Sequence, residues 1–148
     1  MIGNIIHHNH EHYMRLALQE ANKAAYAQEV PVGAIVVINH TIIARAHNQV
    51  EQLTDCTAHA EILALTSAFN YVGAKYLPQA TLYVTVEPCC MCSGAIYWSK
   101  LSTIVYGCSD VLHGGLAKVP LHPKTKVIPH VLEVECKELM QHFFQERR

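Results

Sequence analysis

Charged residues are scarce in this sequence. Lysine, arginine, aspartate and glutamate make up 16% of its 148 residues, and the formal net charge is -1. This balance argues against a strongly basic nucleic-acid surface, although a local basic patch remains compatible with it. No apolar run approaches the roughly 20 residues that a membrane-spanning helix needs. We therefore expect a protein that does not cross a membrane.

The sequence also lacks the features that divide or export a chain. It has no internal repeat, no low-complexity segment and no long linker, so residues 1–148 are predicted to form a single domain. Residues 1–8 contain no cationic region followed by a long apolar stretch, which argues against a secretory signal. We expect a cytoplasmic location. Just over half of the residues are apolar, enough for a sizeable core.

Six cysteines are present. In a reducing cytosol, cysteines favour metal binding or simple burial over disulfides. Cys89, Cys90 and Cys92 are crowded into four positions, which suits a ligand loop better than three crosslinks.

Apolar periodicity and turn residues outline the secondary structure. The predicted strands are 34–38, 41–46, 81–86 and 103–106, the last ending at Gly107. The predicted helices are about 10–28, one from near 59 with Thr57 as a candidate cap, one that has Pro88 in its first turn and carries residues 89–98, and 132–144. Residues 108–130 are expected to be mostly irregular. Strands that alternate with helices indicate an α/β sandwich around a central sheet.

The chemically informative residues are His59, Cys89 and Cys92. Cys89 and Cys92 are three residues apart, so on a helix both project from one face and can bind one ion. The first turn of a helix favours thiolates because its unpaired N–H groups carry partial positive charge. His59 can add an imidazole, and two thiolates with one imidazole match the preference of zinc.

Three protein ligands leave the fourth position of a tetrahedral zinc ion open, as in catalytic sites. A water molecule bound there would have a pKa of about 7 and would supply hydroxide at neutral pH. Glu61 is two residues from His59, so it does not share the helical face of His59 and is free to act beside the water. We expect Glu61 to carry protons between water and substrate, which is typically worth about 10²–10⁴ in rate.

Simpler interpretations of the same residues stay open. A Cys-x-x-Cys pair is often a structural zinc site or a redox pair. The redox interpretation gives no role to His59 or Glu61. A closed, four-ligand zinc site would require Cys56, Cys90 or Cys108 to join the other ligands.

His59-Ala60-Glu61 and Pro88-Cys89-Cys90-Met91-Cys92 match the H-x-E…P-C-x-x-C signature of zinc nucleobase deaminases. The chain resembles the cytidine deaminase-like superfamily, and within it the bacterial tRNA-specific adenosine deaminases. These enzymes convert the wobble adenosine to inosine. Further similar segments are 29–34, 55–64, 81–95, 105–107 and 135–144.

The resemblance implies a three-layer α/β/α sandwich with a five-stranded mixed sheet, one zinc ion per chain, a homodimer and the tRNA anticodon loop as partner. It also implies that Asn48 and the Ala60 backbone hold the flipped base, and that Asp110 contacts the ribose. The alternatives are a turn residue for Asn48 and a loop or capping residue for Asp110.

Two segments depart from the family pattern. Cys56 replaces the usual proline after Asp55, and residues 111–115 replace a lysine–glycine stretch near the substrate entrance. A free-base or nucleoside deaminase, with guanine as the best candidate, would share every zinc-site residue and remains an alternative. A non-catalytic, zinc-stabilised binding module is the alternative from another class.

Overall fold

The structure is a computed structural model, and it describes the backbone of residues 2–147 and the side chains of residues 9–147. Its strands are β1 (Gly33–Ile38), β2 (Thr41–His47), β3 (Thr81–Val86), β4 (Thr103–Cys108) and β5 (Lys126–Ile128). Its helices are α1 (Ile2–Tyr26), α2 (Val50–Leu53), α3 (Ala60–Val72), α4 (Cys90–Ser99) and α5 (Glu133–Gln145). None of the helices in the described part of the chain combines the length and apolar character needed to span a membrane.

The five strands form one mixed sheet in the order β2-β1-β3-β4-β5. β1 runs antiparallel to both β2 and β3, whereas β3, β4 and β5 are parallel to one another. Parallel neighbours bring their carboxyl ends to the same edge of the sheet. The segments that follow β3 and β4 therefore begin side by side.

The sheet separates two apolar cores. Alternate residues of β1 point to opposite faces: Ala34 and Val36 pack in the core with α3 and α4, and Ile35 and Val37 pack in the core with α1 and α5. Five of the six residues of β1 are buried, as the β-branched run predicts. The predicted three-layer α/β/α sandwich with a five-stranded sheet is confirmed.

Two strand predictions differ from the structure by more than one residue. β4 does not end at Gly107 but continues through it to Cys108. The glycine is there for close packing, because a Cβ at Gly107 would meet the Cys136 sulfur and the Thr85 carbonyl oxygen. β5 lies inside the segment predicted to be irregular, since three residues at a sheet edge, two of them exposed, leave no periodic signal.

The helix ends also differ from prediction. α1 begins at Ile2 rather than about residue 10, and it ends at Tyr26 rather than 28. Thr57 is not the cap of α3: its amide and hydroxyl both donate to Asp55, and His59 occupies the N-cap position. α4 begins at Cys90 with Cys89 as its N-cap residue, so Pro88 lies before the helix and not in its first turn. The four-residue helix α2 is too short for a periodic pattern to show.

Candidate active site

The amino ends of α3 and α4 meet on one face of the sheet. His59 is the N-cap residue of α3, and Cys89 is the N-cap residue of α4. The His59 Nδ1 atom lies 3.7 Å from the Cys89 sulfur and 3.6 Å from the Cys92 sulfur. All three ligand atoms lie within 4.8 Å of one another, and among the described residues they form the group able to hold a metal ion.

The donor set and its spacing fit zinc. Zinc binds imidazole nitrogen at about 2.0–2.1 Å and thiolate sulfur at about 2.3 Å, so a tetrahedral angle separates nitrogen from sulfur by about 3.6 Å. The two observed nitrogen–sulfur distances agree with that separation. The three side chains could therefore bind one zinc ion without rearrangement.

The remaining cysteines do not complete a closed site. Cys56 and Cys90 are exposed. Cys108 is buried in the core on the opposite face of the sheet, beside Cys136 and Val131. The described residues thus offer three protein ligands, as in a catalytic zinc site.

The two thiols of this group differ in acidity. Hydrogen bonds from Cys92 and His59 lower the pKa of Cys89 to about 3. The hydrogen bond to Cys89, together with burial, raises the pKa of the Cys92 thiol. A metal ion would ionise both thiols and release a proton, because thiolates are the ligands.

Glu61 is a buried carboxyl group beside this cluster. It is the second residue of α3, and its side chain is 4% exposed. Burial raises its pKa to about 7, and the nearby His59 opposes that rise. A carboxyl group with a pKa near neutrality can both accept and return a proton.

A cavity of about 480 Å³ opens onto the cluster. Its lining includes the three substrate contacts expected from the sequence, two of the three expected metal ligands and the expected proton carrier. These residues are Asn48, Ala60 and Asp110, then His59 and Cys89, then Glu61. Cys92 is fully buried and is not among the lining residues. Asn48 is 7% exposed and is among the residues that line the cavity.

Asp110 belongs to a loop attached to the metal-binding segment. The Asp110 Oδ1 atom accepts the backbone N–H groups of Leu112 and His113, and the Asp110 N–H donates to Glu87. The Gly115 N–H donates to the Pro88 carbonyl oxygen. The departure at residues 111–115 is thus compatible with a loop that is hydrogen-bonded to the segment before Cys89.

The departure at Cys56 has a local compensation. The Asp55 carboxylate accepts the Thr57 amide at 2.8 Å and the Thr57 hydroxyl at 2.7 Å, and these bonds lower the pKa of Asp55. The Ala58 carbonyl oxygen then accepts the Gln49 N–H. These bonds, rather than a proline ring, hold the turn before His59.

The sequence patterns did not predict which residues form one wall of the cavity. Met140, Phe143, Phe144 and Arg147 of the carboxyl-terminal region line it, and the Arg147 guanidinium lies 4.1 Å from the centre of the Phe143 ring. Periodicity marks such residues only as the apolar face of a helix. Glu29, also at the cavity, was likewise missed.

The fold and the site together are those of the deaminases that carry the H-x-E…P-C-x-x-C signature, enzymes that remove an amino group by hydrolysis. Residues 8–148 match the sequence model of the family described as MafB19-like deaminase. The chain belongs to this deaminase family.

Individual relatives indicate which deaminases of known substrate the chain is similar to. The chain is 42% identical to the tRNA-specific adenosine deaminase of Aquifex aeolicus over 93% of this chain and 95% of that protein. A solved structure from work on A-to-I editing by tRNA:A34 deaminases matches with a TM-score of 0.81 and 38% identity, over 86% of this chain and 98% of that one. A guanine deaminase from Bacillus subtilis is 37% identical, but matches over 68% of this chain and 64% of that one, with a TM-score of 0.65.

The metal site predicts a contrast between neighbouring cysteines. We expect Cys92→Ala to lose most bound zinc, because a buried ligand is removed, and Cys90→Ala to keep it, because Cys90 is exposed and lies outside the cluster. Metal analysis of the purified variants measures this. Equal zinc content in the two variants would contradict the ligand assignment.

Proposed function

We propose that this protein hydrolyses the wobble adenosine of a tRNA anticodon loop to inosine and releases ammonia. The observation that carries the proposal is the His59–Cys89–Cys92 cluster, which lies with buried Glu61 at one cavity. The tRNA deaminase relatives support the substrate, because they match nearly the whole chain. The guanine deaminase of Bacillus subtilis, at 37% identity, matches over less of either chain and does not favour that alternative.

We assign one zinc ion to each chain, with His59, Cys89 and Cys92 as its ligands. When bound, zinc would supply an acidified water molecule that is nucleophilic at neutral pH. A closed structural site would need a fourth protein ligand and would leave buried Glu61 without a purpose. The three-ligand cluster therefore supports an enzyme over a non-catalytic binding module.

Glu61 is the proposed catalytic residue. A carboxylate oxygen of Glu61 accepts a proton from water, whose oxygen bonds to the carbon that carries the amino group, and delivers that proton to the adjacent ring nitrogen. Glu61 then takes the remaining proton of the added hydroxyl group and transfers it to the amino group, which leaves as ammonia while the carbon–oxygen bond becomes the carbonyl of inosine. Its burial keeps bulk water from competing for these protons, and its near-neutral pKa allows both directions of transfer.

Three further residues are proposed to hold the nucleoside. The Asn48 side-chain amide can donate and accept hydrogen bonds, as the edge of a base requires. The Ala60 N–H lies in the first turn of α3, where backbone N–H groups lack an intrahelical acceptor and are available to a ligand. Asp110 uses Oδ1 within its own loop, so Oδ2 is the atom we assign to the ribose.

A single-stranded loop is a favourable substrate for a cavity of this kind. Its bases are already partly unstacked, which lowers the cost of turning one out of the stack. We also propose that residues 1–148 act as a single deaminase domain in the cytoplasm. Both cores share one sheet, and the bacterial relatives are named for tRNA, which in bacteria is in the cytoplasm.

The substrate is tested by competition among four compounds. We expect the zinc-loaded protein to convert adenosine to inosine in an anticodon stem-loop, and to leave free guanine, adenosine and cytosine essentially unchanged. Chromatography of the digested RNA and of the free compounds measures the products. Turnover of guanine with unmodified RNA would overturn the tRNA assignment.

The proton carrier is tested by Glu61→Gln, which keeps the size of the side chain but removes its basicity. We expect turnover to fall by about 10²–10⁴ while zinc remains bound. Glu138→Gln, an exposed glutamate of α5, is the matched control and should keep the parent rate. Parent-level turnover in Glu61→Gln would show that another group moves the protons.

We further propose that the protein is a homodimer. Met91 and Trp98 lie two helical turns apart on one face of α4, and Trp98 is 70% exposed, so this face offers apolar surface to a second copy. We expect the parent protein to sediment as a dimer and Trp98→Ser to dissociate. Tyr26→Ser, which changes another exposed aromatic residue, should remain dimeric. A monomeric parent would exclude the homodimer, and a dimeric Trp98→Ser would exclude this face.

A further inference from the structure

Glu29 is a buried glutamate at the substrate cavity that the proposed mechanism does not use. It lies between α1 and β1, is 1% exposed and lines the cavity. Its Oε1 atom accepts the Glu51 N–H at 3.0 Å, and its Oε2 atom accepts the Gln52 N–H at 2.8 Å. Both carboxyl oxygens are therefore engaged by the backbone of α2.

The contact supplies what α2 lacks. The first backbone N–H groups of any helix have no intrahelical acceptor, and negative charge is favourable beside them. A helix of four residues is far too short to be stable by itself. An anchor from outside the helix is needed, and the two bonds to Glu29 provide it.

The anchored segment connects two residues of the proposed site. Asn48 precedes it and His59 follows it. The Asn48 N–H donates to the Val32 carbonyl oxygen at 3.0 Å, and the Gln49 N–H donates to the Ala58 carbonyl oxygen at 3.0 Å. Between these ends, residues 51–57 are all exposed, so Glu29 supplies a buried attachment for the middle of the segment.

We propose that Glu29 is a positioning residue that fixes segment 49–58 and thereby holds the Asn48 amide in place for the substrate base. This inference rests on the proposed role of Asn48. Glu29 takes no part in the chemical step, because both of its carboxyl oxygens accept hydrogen bonds from the backbone of α2. Its loss is expected to weaken substrate binding while the zinc ligands and Glu61 remain.

The test is a double-mutant cycle between Glu29 and Asn48, with rates expressed per bound zinc. Glu29→Gln keeps the size of the side chain but replaces one acceptor oxygen with an amide donor. We expect it to raise KM for the stem-loop about tenfold with little change in kcat, because binding weakens equally in the ground and transition states. In an Asn48→Ala background, the same change should have almost no further effect on KM.

Glu20→Gln is the matched control. Glu20 is also a buried glutamate, 4% exposed, but it bonds to Lys23 and His47 and is not among the residues that line the cavity. We expect it to lower thermal stability without changing KM. If Glu29→Gln does not fold, Glu29→Asp replaces it in the cycle, because it retains both acceptor oxygens on a shorter side chain.

An unchanged KM in the Glu29 variant, or an effect that adds in full to that of Asn48→Ala, would overturn the positioning role. Failure of the proposed function gives a different result, because the parent itself would then leave the stem-loop unmodified. If the parent deaminates guanine instead, the same cycle is measured with guanine as substrate.

Discussion

The proposed active site depends on one arrangement of side chains. The His59 imidazole and the sulfurs of Cys89 and Cys92 lie close together where two helices begin. The nitrogen lies 3.6 and 3.7 Å from the sulfurs, which is the spacing that a tetrahedral zinc ion imposes. Each N-cap residue carries a ligand, so small shifts in either helix would separate the ligand atoms. The packing of α3 and α4 on one face of the sheet holds them together.

Two buried glutamates line the cavity, and their different surroundings suit them to different roles. Glu61 lies beside the metal cluster, and burial dominates its environment and raises its pKa to about 7. Glu29 has both oxygens engaged by backbone N–H groups of α2. The first arrangement suits a group that exchanges protons, and the second suits a group that holds a segment of chain in place.

The metal-site residues could be recognised in the sequence because their chemistry and spacing are local. Cys89 and Cys92 are close in the chain, and His59 and Glu61 form one short motif. Glu29 could not be found in this way, since its partners are backbone N–H groups 22 and 23 residues away, and no residue type marks such a contact.

The secondary structure likewise contains features that the local sequence shows and features that only tertiary contacts determine. The buried run of β1 is visible in the sequence, whereas the path of β4 through Gly107 depends on the approach of Cys136 from α5. Thr57 is a good cap by residue type, but its hydroxyl is bonded to Asp55. Tertiary contacts decided these positions, and no local pattern records such contacts.

X-ray absorption at the zinc edge of the loaded protein tests the central claim most directly. The account predicts two sulfur neighbours at about 2.3 Å and two nitrogen or oxygen neighbours at about 2.0–2.1 Å, one of them from solvent. A shell of three or four sulfurs would contradict it, because the zinc would then be closed to water.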